Sequence, residues 1–364
     1  MGPSASLLAV LCALVAAPGL AYRRPLLEGQ ECRTRSGEAG VCRLAPDCPA
    51  ASEALQRRGE WPVTCGFQGR RPVVCCRARA GNSLPDTTTT TTTTTPARRK
   101  SEQACQEYNK FPNGVRLNII DGDIVSQGEM PHMAALGFAT PGTSALSWDC
   151  GGSLISERYV LTAAHCFQRR NRRLARVMLG GVDLRTRSEG SEQAAVEAVI
   201  PHPEYRAAYH DVALVRLARP VSLSETLAPA CLYARPGLPP DVLEVAGWGA
   251  TDPLGDQKSE VLLKAVVRSV DRQTCDGLHR GNPLLRSGVQ DTMICAFDPQ
   301  GRKDTCSGDS GGPLQALTKE ASNVYSIIGV TSLGSSVCGG STPAVYTRVS
   351  SYVPWIESVV WPDP

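Results

Sequence analysis

Charge of one sign is nearly absent from the balance of this chain. Its 38 Lys and Arg face 35 Asp and Glu, a net charge of +3, too small to argue for a nucleic-acid partner. Nor is there an apolar run long enough to cross a bilayer; the best stretch, Leu7 to Ala17, is too short. No Asn-x-Ser/Thr acceptor for an N-linked glycan occurs. The six Cys between positions 32 and 76 include no C-x-x-C pair and no nearby His, which argues against a zinc site there. His itself is scarce, with five in 364 residues, so each can be weighed separately.

What is present sorts into segments. Residues 1–21 hold the apolar run and end in Gly19-Leu20-Ala21, which reads as a secretory signal cut after Ala21, its positive charge supplied by the amino terminus alone. Of 15 Cys, Cys12 leaves with that signal and 14 remain, the even number that a disulfide framework in an oxidising compartment needs. Six of them crowd residues 30–78, a segment too short to bury much apolar surface, so three disulfides are its expected support. Spacing alone leaves all 15 connectivities open. Residues 79–118 read as a linker and processing segment. Thr87 to Thr95 are nine consecutive Thr between Pro85 and Pro96, with no alternation to bury, which fits an O-glycosylated spacer and a plain tether equally. From 119 to 364, short apolar runs such as Ala134–Phe138, Tyr159–Leu161, Val212–Leu217 and Ser326–Val330 alternate with Gly, Pro and polar turns. That is an all-β pattern of many short strands. Tyr352, Val353, Trp355, Ile356, Val359 and Val360 recur at helical spacing and predict a terminal amphipathic helix, expected on the second half of the β domain.

Chemistry gathers at three places. Asp304-Thr305-Cys306-Ser307-Gly308-Asp309-Ser310-Gly311-Gly312-Pro313 puts a Ser among glycines, a poor choice for a helix or strand. Thr162-Ala163-Ala164-His165-Cys166 lies upstream and His210-Asp211-Val212-Ala213-Leu214 between them. A free Ser hydroxyl is a weak nucleophile and needs a base within hydrogen-bond reach, and the order His, Asp, Ser is one of the known orders for such a triad. His132, His202 and His279 have no partner motif and read as surface or core residues; His210 reads as non-catalytic.

These three contexts resemble the chymotrypsin-like serine proteases. Six Cys ending in adjacent Cys75-Cys76 ahead of such a domain resemble the clip domain of arthropod proteases, closest to the snake-like cascade group. Pro131–Gly137, His210–Leu214 and Tyr346-Thr347-Arg348 carry that likeness. The resemblance implies an all-β fold of two six-stranded barrels with a C-terminal helix, preceded by a small disulfide-rich clip domain. It implies the pairings Cys32–Cys75, Cys42–Cys65, Cys48–Cys76, Cys105–Cys231, Cys150–Cys166, Cys275–Cys295 and Cys306–Cys338. It makes Ser310 the nucleophile, His165 the base, Asp211 its orienter, and the N–H groups of Gly308 and Ser310 the oxyanion hole. Asp304 would lie at the base of a pocket selecting Arg or Lys, walled by Ser332 and Gly334. Ala344 stands where most trypsin-like members have Gly; its methyl either restricts that pocket or spoils it.

Activation is implied at Asn118–Ile119, since Ile119-Ile120-Asp121-Gly122 resembles the family's new amino terminus, which pairs with Asp309. Asn118 is unusual there. Cleavage after Arg116 would leave two extra residues and after Leu117 one, so a non-tryptic activator or two-step trimming is expected. Arg169-Arg170-Asn171-Arg172-Arg173 with Arg176 reads either as a solvated face or as an exosite for an acidic partner. No cofactor and no metal are expected. The function implied is a secreted zymogen in an extracellular cascade of innate immunity, melanisation or dorsal-ventral patterning, in haemolymph or perivitelline-type fluid. Its partners would be an upstream activating protease, a downstream protease zymogen and a serpin inhibitor, with no nucleic acid and no membrane. The alternative is a non-catalytic clip-domain homologue acting as an adaptor.

Overall fold

A computed structural model describes residues 30–34, 37–44, 48, 63–68, 71–77, 98–108, 124–142, 145–168, 171–186, 190–235, 242–251, 257–298, 309–319, 324–334 and 342–363. The chain falls into two compact units, Met1–Thr92 and Thr93–Pro364. The signal, the Thr tract, Asn118, Ile119, Asp304, Gly308, Cys306 and Cys338 lie outside the described residues.

The first unit holds four short strands, β1 (Glu31–Arg33), β2 (Ala39–Leu44), β3 (Thr64–Gln68) and β4 (Arg71–Arg77), in the order β1-β2-β4-β3. Its interior is mostly sulfur. Cys42, Cys48, Cys65, Cys75, Val73 and Val74 are buried, and the bonds run Cys32–Cys75, Cys42–Cys65 and Cys48–Cys76. So little apolar area explains why covalent cross-links hold this sheet.

In the second unit six strands close into a barrel: β5 (Met133–Ala139), β6 (Leu146–Ser156), β7 (Tyr159–Thr162), β8 (Arg173–Leu179), β9 (Glu192–Pro201) and β10 (Ala213–Leu217), in the order β10-β7-β6-β5-β8-β9. In β9, exposed Gln193, Ala195 and Glu197 alternate with better-covered Ala194, Val196 and Ala198, the period-two pattern of a strand with one face inward. Seven more strands are β11 (Cys231–Leu232), β12 (Val242–Gly247), β13 (Leu263–Val270), β14 (Met293–Phe297), β15 (Pro313–Lys319), β16 (Val324–Leu333) and β17 (Ala344–Arg348). Their order is β11-β16-β15-β12-β13-β14-β17, and β16 also pairs with β17. That last pairing closes β12 to β17 into a second six-stranded barrel and removes its open edges. Two six-stranded barrels are the architecture that the sequence resemblance implies.

Among the described residues three α-helices accompany the barrels: α1 (Lys100–Tyr108), α2 (Arg272–Leu278) and α3 (Val353–Val360). Val353, Ile356 and Val360 line the buried face of α3, at spacings of three and four. This face falls in one apolar cluster with Leu154, Leu214 and Leu217 of the first barrel and Ile327 and Val330 of β16, so the helix expected on the second barrel shares a core with residues of both. Spacing fixes which face of a helix is apolar and not which partner receives it. Helix α1 docks against α3: Ser101 donates from N (3.1 Å) and Oγ (2.6 Å) to Glu357 Oε1, and Lys100 Nζ donates to Trp361 O at 2.7 Å. The Cys105–Cys231 bond and Tyr108 Oη to Ile155 O (3.1 Å) complete the attachment.

Between the barrels Val125, Met130, Met133, Ala135, Met178, Ala246, Trp248, Leu262 and Tyr325 form a separate apolar cluster. His132 lies beside it, 1% exposed, its Nε2 donating to Gln315 Oε1 at 2.7 Å and its ring 5.3 Å from that of Tyr325. Burial pushes its pKa from 6.5 down to about 4, although the Gln315 bond works the other way. The unfolded chain therefore takes up a proton between pH 6.5 and 4 that the fold refuses. Keeping His132 neutral stabilises the fold fully above about pH 6.5, and that contribution, about 3 kcal/mol, is lost as pH falls toward 4. His132→Gln should flatten the fall in thermal midpoint between pH 7 and 4; an unchanged slope would rule out His132 as its source.

Candidate active site

The local folding of each singled-out residue has a visible cause. His165 sits in a one-turn 3-10 helix, Ala164–Phe167, at the end of β7, and the Cys150–Cys166 bond ties that turn to β6. Asp211 precedes β10, the strand that pairs with β7, so sheet register brings it beneath the turn. Ser310 occupies a turn closed by Gly312 N donating to Asp309 O at 2.8 Å. Gly311 has φ +79° there, as the third residue of a type II turn requires. A side chain at Gly311 would also strike Thr162 Oγ1 and come within 2.6 Å of Gly151 O, so glycine is demanded twice.

Asp211 and His165 are brought together. Asp211 is 1% exposed and its carboxylate accepts three bonds: from His165 N to Oδ1 (2.9 Å), from His165 Nδ1 to Oδ2 (2.7 Å) and from Ser332 Oγ to Oδ2 (2.5 Å). A buried carboxylate needs such donors. Since it only accepts, the neutral His165 ring carries its proton on Nδ1, the tautomer whose Nε2 lone pair a general base would use. The His165 side chain is 29% exposed, open to a reacting partner. The Asp211 backbone carbonyl accepts from Thr347 Oγ1 at 2.8 Å. Burial, and then the Asp211 charge, push the nearby Tyr205 phenol up to about 12.

The Ser310 turn abuts the same region. Ser310 O accepts from Gly151 N at 2.8 Å and lies 3.8 Å from Cys166 Sγ, next to His165 in the chain. Thr331 O accepts from Gly311 N at 2.9 Å, fixing the turn against β16. Asp309 turns inward, its Oδ1 accepting from Gly249 N at 2.9 Å, and any side chain at Gly247 or Gly249 would collide with its carboxylate. Gly334 is exposed at the end of β16, and Ala344 is fully buried in the second barrel's apolar cluster with Leu243, Ile294 and Tyr346.

A cleft of about 330 Å³ is lined by Trp148, Asp149, Leu184, Arg185, Trp248 and Lys258 among others. Burial raises the Asp149 carboxyl, but bonds from Lys258 and Ser147 and the charges of Lys258 and Arg172 outweigh it, leaving the group below its ordinary range. Arg172 pairs with Asp149 and lies over the Phe138 ring, 5.8 Å from its centroid, so this member of the Arg cluster is held in structure; Arg173 and Arg176 are exposed.

Sequence reasoning placed Ser332 in a pocket wall and missed its bond to Asp211. No local motif marks that bond, since the two residues are 121 apart in the chain. Removing one donor from a buried carboxylate is costly. Ser332→Ala should lower unfolding free energy by about 1.5–3 kcal/mol, read by denaturant titration; no change would mean the Asp211 carboxylate does not depend on that hydroxyl.

Comparison with known proteins bears on identity. The trypsin family model matches residues 119–356. Serine protease snk of Drosophila melanogaster is 35% identical over 360 residues, covering 92% of this chain and 80% of the relative. CLIP domain-containing serine protease C9 of Anopheles gambiae is 32% identical, covering 93% and 89%. Among solved structures, neuropsin, a serine protease expressed in mouse brain, superposes with a TM-score of 0.54 at 29% identity, covering 66% of this chain and all of its own. With two barrels, a sulfur-rich N-terminal sheet and relatives of this kind along nine-tenths of its length, the chain belongs to the trypsin family of serine proteases, in the clip-domain group found in insects.

Proposed function

We propose that the chain is the zymogen of a secreted endopeptidase that cuts after Arg or Lys in a downstream protease zymogen. The observation that carries this reading is the buried Asp211 carboxylate bonded to both the backbone and the ring of His165. In the proposed reaction Ser310 Oγ attacks the scissile carbonyl while His165 Nε2 takes its proton. Asp211 stabilises the imidazolium, and the N–H groups of Gly308 and Ser310 stabilise the developing oxyanion. His165 then protonates the leaving amine, and water, activated by the same imidazole, hydrolyses the acyl-enzyme. Asp304 would draw in the substrate guanidinium or ammonium.

Zymogen status rests on Asp309. Its carboxylate is half-buried and accepts from Gly249 N, and an ammonium at Ile119, freed by cleavage of Asn118–Ile119, would be its opposite charge. The Cys105–Cys231 bond and the docking of α1 on α3 would keep the N-terminal segment attached once that bond is cut. The insect relatives named above support a place in an extracellular cascade, with an activating protease upstream and a serpin as inhibitor; the apolar residues 7–17 support secretion. Among the described residues no helix is long and apolar enough to cross a membrane.

The activated chain should take an organophosphonate label at Ser310 and hydrolyse Arg-peptides. Ser310→Ala should lose label and rate together, on the order of a millionfold, and Asp211→Asn about ten-thousandfold with the fold intact. Absence of label on the wild-type activated chain would sink the peptidase reading in favour of the adaptor. N-terminal sequencing of the naturally activated chain should begin at Ile119; an active form beginning at Leu117 or Asn118 would contradict the proposed activation bond.

A further inference from the structure

His202, Glu204 and His210 are far apart in role by any motif, yet the loop from β9 to β10 folds them together. Each offers a ligand atom, and these atoms lie within 4.8 Å of one another. Two other clusters of ligand-type residues occur among the described residues, but their cysteines are bound in disulfides, and an oxidised sulfur is no thiolate ligand. The His202 and His210 rings stack at 5.4 Å with only 12° between their planes. Side chains of the C-terminal segment hold that pair: Tyr352 and Trp355 meet His202 edge-on at 5.1 and 4.9 Å, and Tyr352 Oη bonds His210 Nδ1 at 3.1 Å. An outer hydroxyl on one imidazole nitrogen orients the other toward a cation, as around known metal sites. His202 Nδ1 takes a 3.2 Å bond from the Glu204 amide, a long and exposed bond for a cation to compete with. The backbone is bent to this end. His210 has φ +53° and Ala207 φ +55°, left-handed conformations that residues with a Cβ seldom adopt.

We propose that His202, Glu204 and His210 form a binding site for one divalent cation of the zinc class, through which that cation slows the peptidase. Two imidazoles and one carboxylate suit a borderline-soft ion and leave a fourth position for water, whereas calcium and magnesium favour all-oxygen sets. Ligand atoms around zinc sit roughly 3.3–3.5 Å apart at metal–ligand lengths near 2.1 Å, so closure needs side-chain movement of about an ångström. His210 is the peptide neighbour of Asp211, and its carbonyl accepts from Val212 N at 2.8 Å, while Val212 O accepts from His202 N at 2.9 Å. Both histidine ligands thus share a backbone frame with Asp211, whose bonds to His165 and Ser332 span 2.5–2.9 Å and tolerate little displacement. The binding claim stands apart from the proposed catalysis; the slowing rests on it.

The full-length chain, dialysed against a chelator, is titrated with zinc ion by calorimetry and thermal melting. One equivalent should bind and raise the thermal midpoint, and Glu204→Gln and His202→Asn should each weaken binding by tenfold or more. Glu204 is exposed, so its variant keeps the test valid if His202→Asn, which loosens the contacts with Tyr352 and Trp355, fails to fold. No uptake, or uptake unchanged in Glu204→Gln, would overturn the site. On the cleaved enzyme, its active sites counted with the organophosphonate on a separate aliquot, zinc should lower kcat at constant KM, and Glu204→Gln should relieve this. Equal inhibition of both forms would overturn the coupling while leaving a measured binding site in place.

Discussion

A single buried carboxylate joins the two halves of the protease unit. Asp211 belongs to the first barrel, entering β10, and two of its bonds stay there, to the backbone and ring of His165. The others come from the second barrel: Ser332 at the end of β16 reaches the carboxylate, and Thr347 on β17 reaches the backbone carbonyl. An ionised group out of water is tolerated only when its lone pairs are filled, so the barrels are obliged to meet at the angle that fills them. The same bonds orient the His165 ring. Cohesion of the fold and the set of that ring come from one group of hydrogen bonds.

The other half of the site is a matter of close approach. The Ser310 turn is pinned by Gly151 from the first barrel and Thr331 from the second, and Asp309 lies on backbone that only Gly247 and Gly249 leave open. Around these polar contacts the apolar seam of Met130, Met133, Trp248 and Tyr325 excludes water, and the buried neutral His132 is one result of that exclusion. Sulfur does elsewhere what apolar area cannot. It holds the small N-terminal sheet, the His165 turn and the α1 attachment.

Much of this was legible in the sequence because its carriers are local. Thr162–Cys166, His210–Leu214 and the Gly-rich stretch around Ser310 are each a few residues long, and backbone conformation there is set by immediate neighbours, as the φ of Gly311 illustrates. The all-β class followed from short alternating runs of the kind seen in β9. Contacts set by tertiary closure did not show. Ser332 reaches Asp211 across 121 residues, and α3 buries its apolar face in a cluster that mixes Leu154 and Leu214 of the first barrel with Ile327 and Val330 of the second. His202 and His210 read as unrelated because eight residues separate them; their rings stack in a loop that holds two left-handed residues and packs on Tyr352 and Trp355.

The central claim is that Asp211 fixes His165 as the Nδ1–H tautomer with Nε2 unprotonated. Nitrogen-correlated proton NMR of the full-length chain at neutral pH, assigned by loss of the signal in His165→Gln, reads this directly. The account predicts a far-downfield, exchange-protected Nδ1 proton for His165 that vanishes in Asp211→Asn. An Nε2–H tautomer in the wild type, or an Nδ1 proton unaffected by Asp211→Asn, would contradict it.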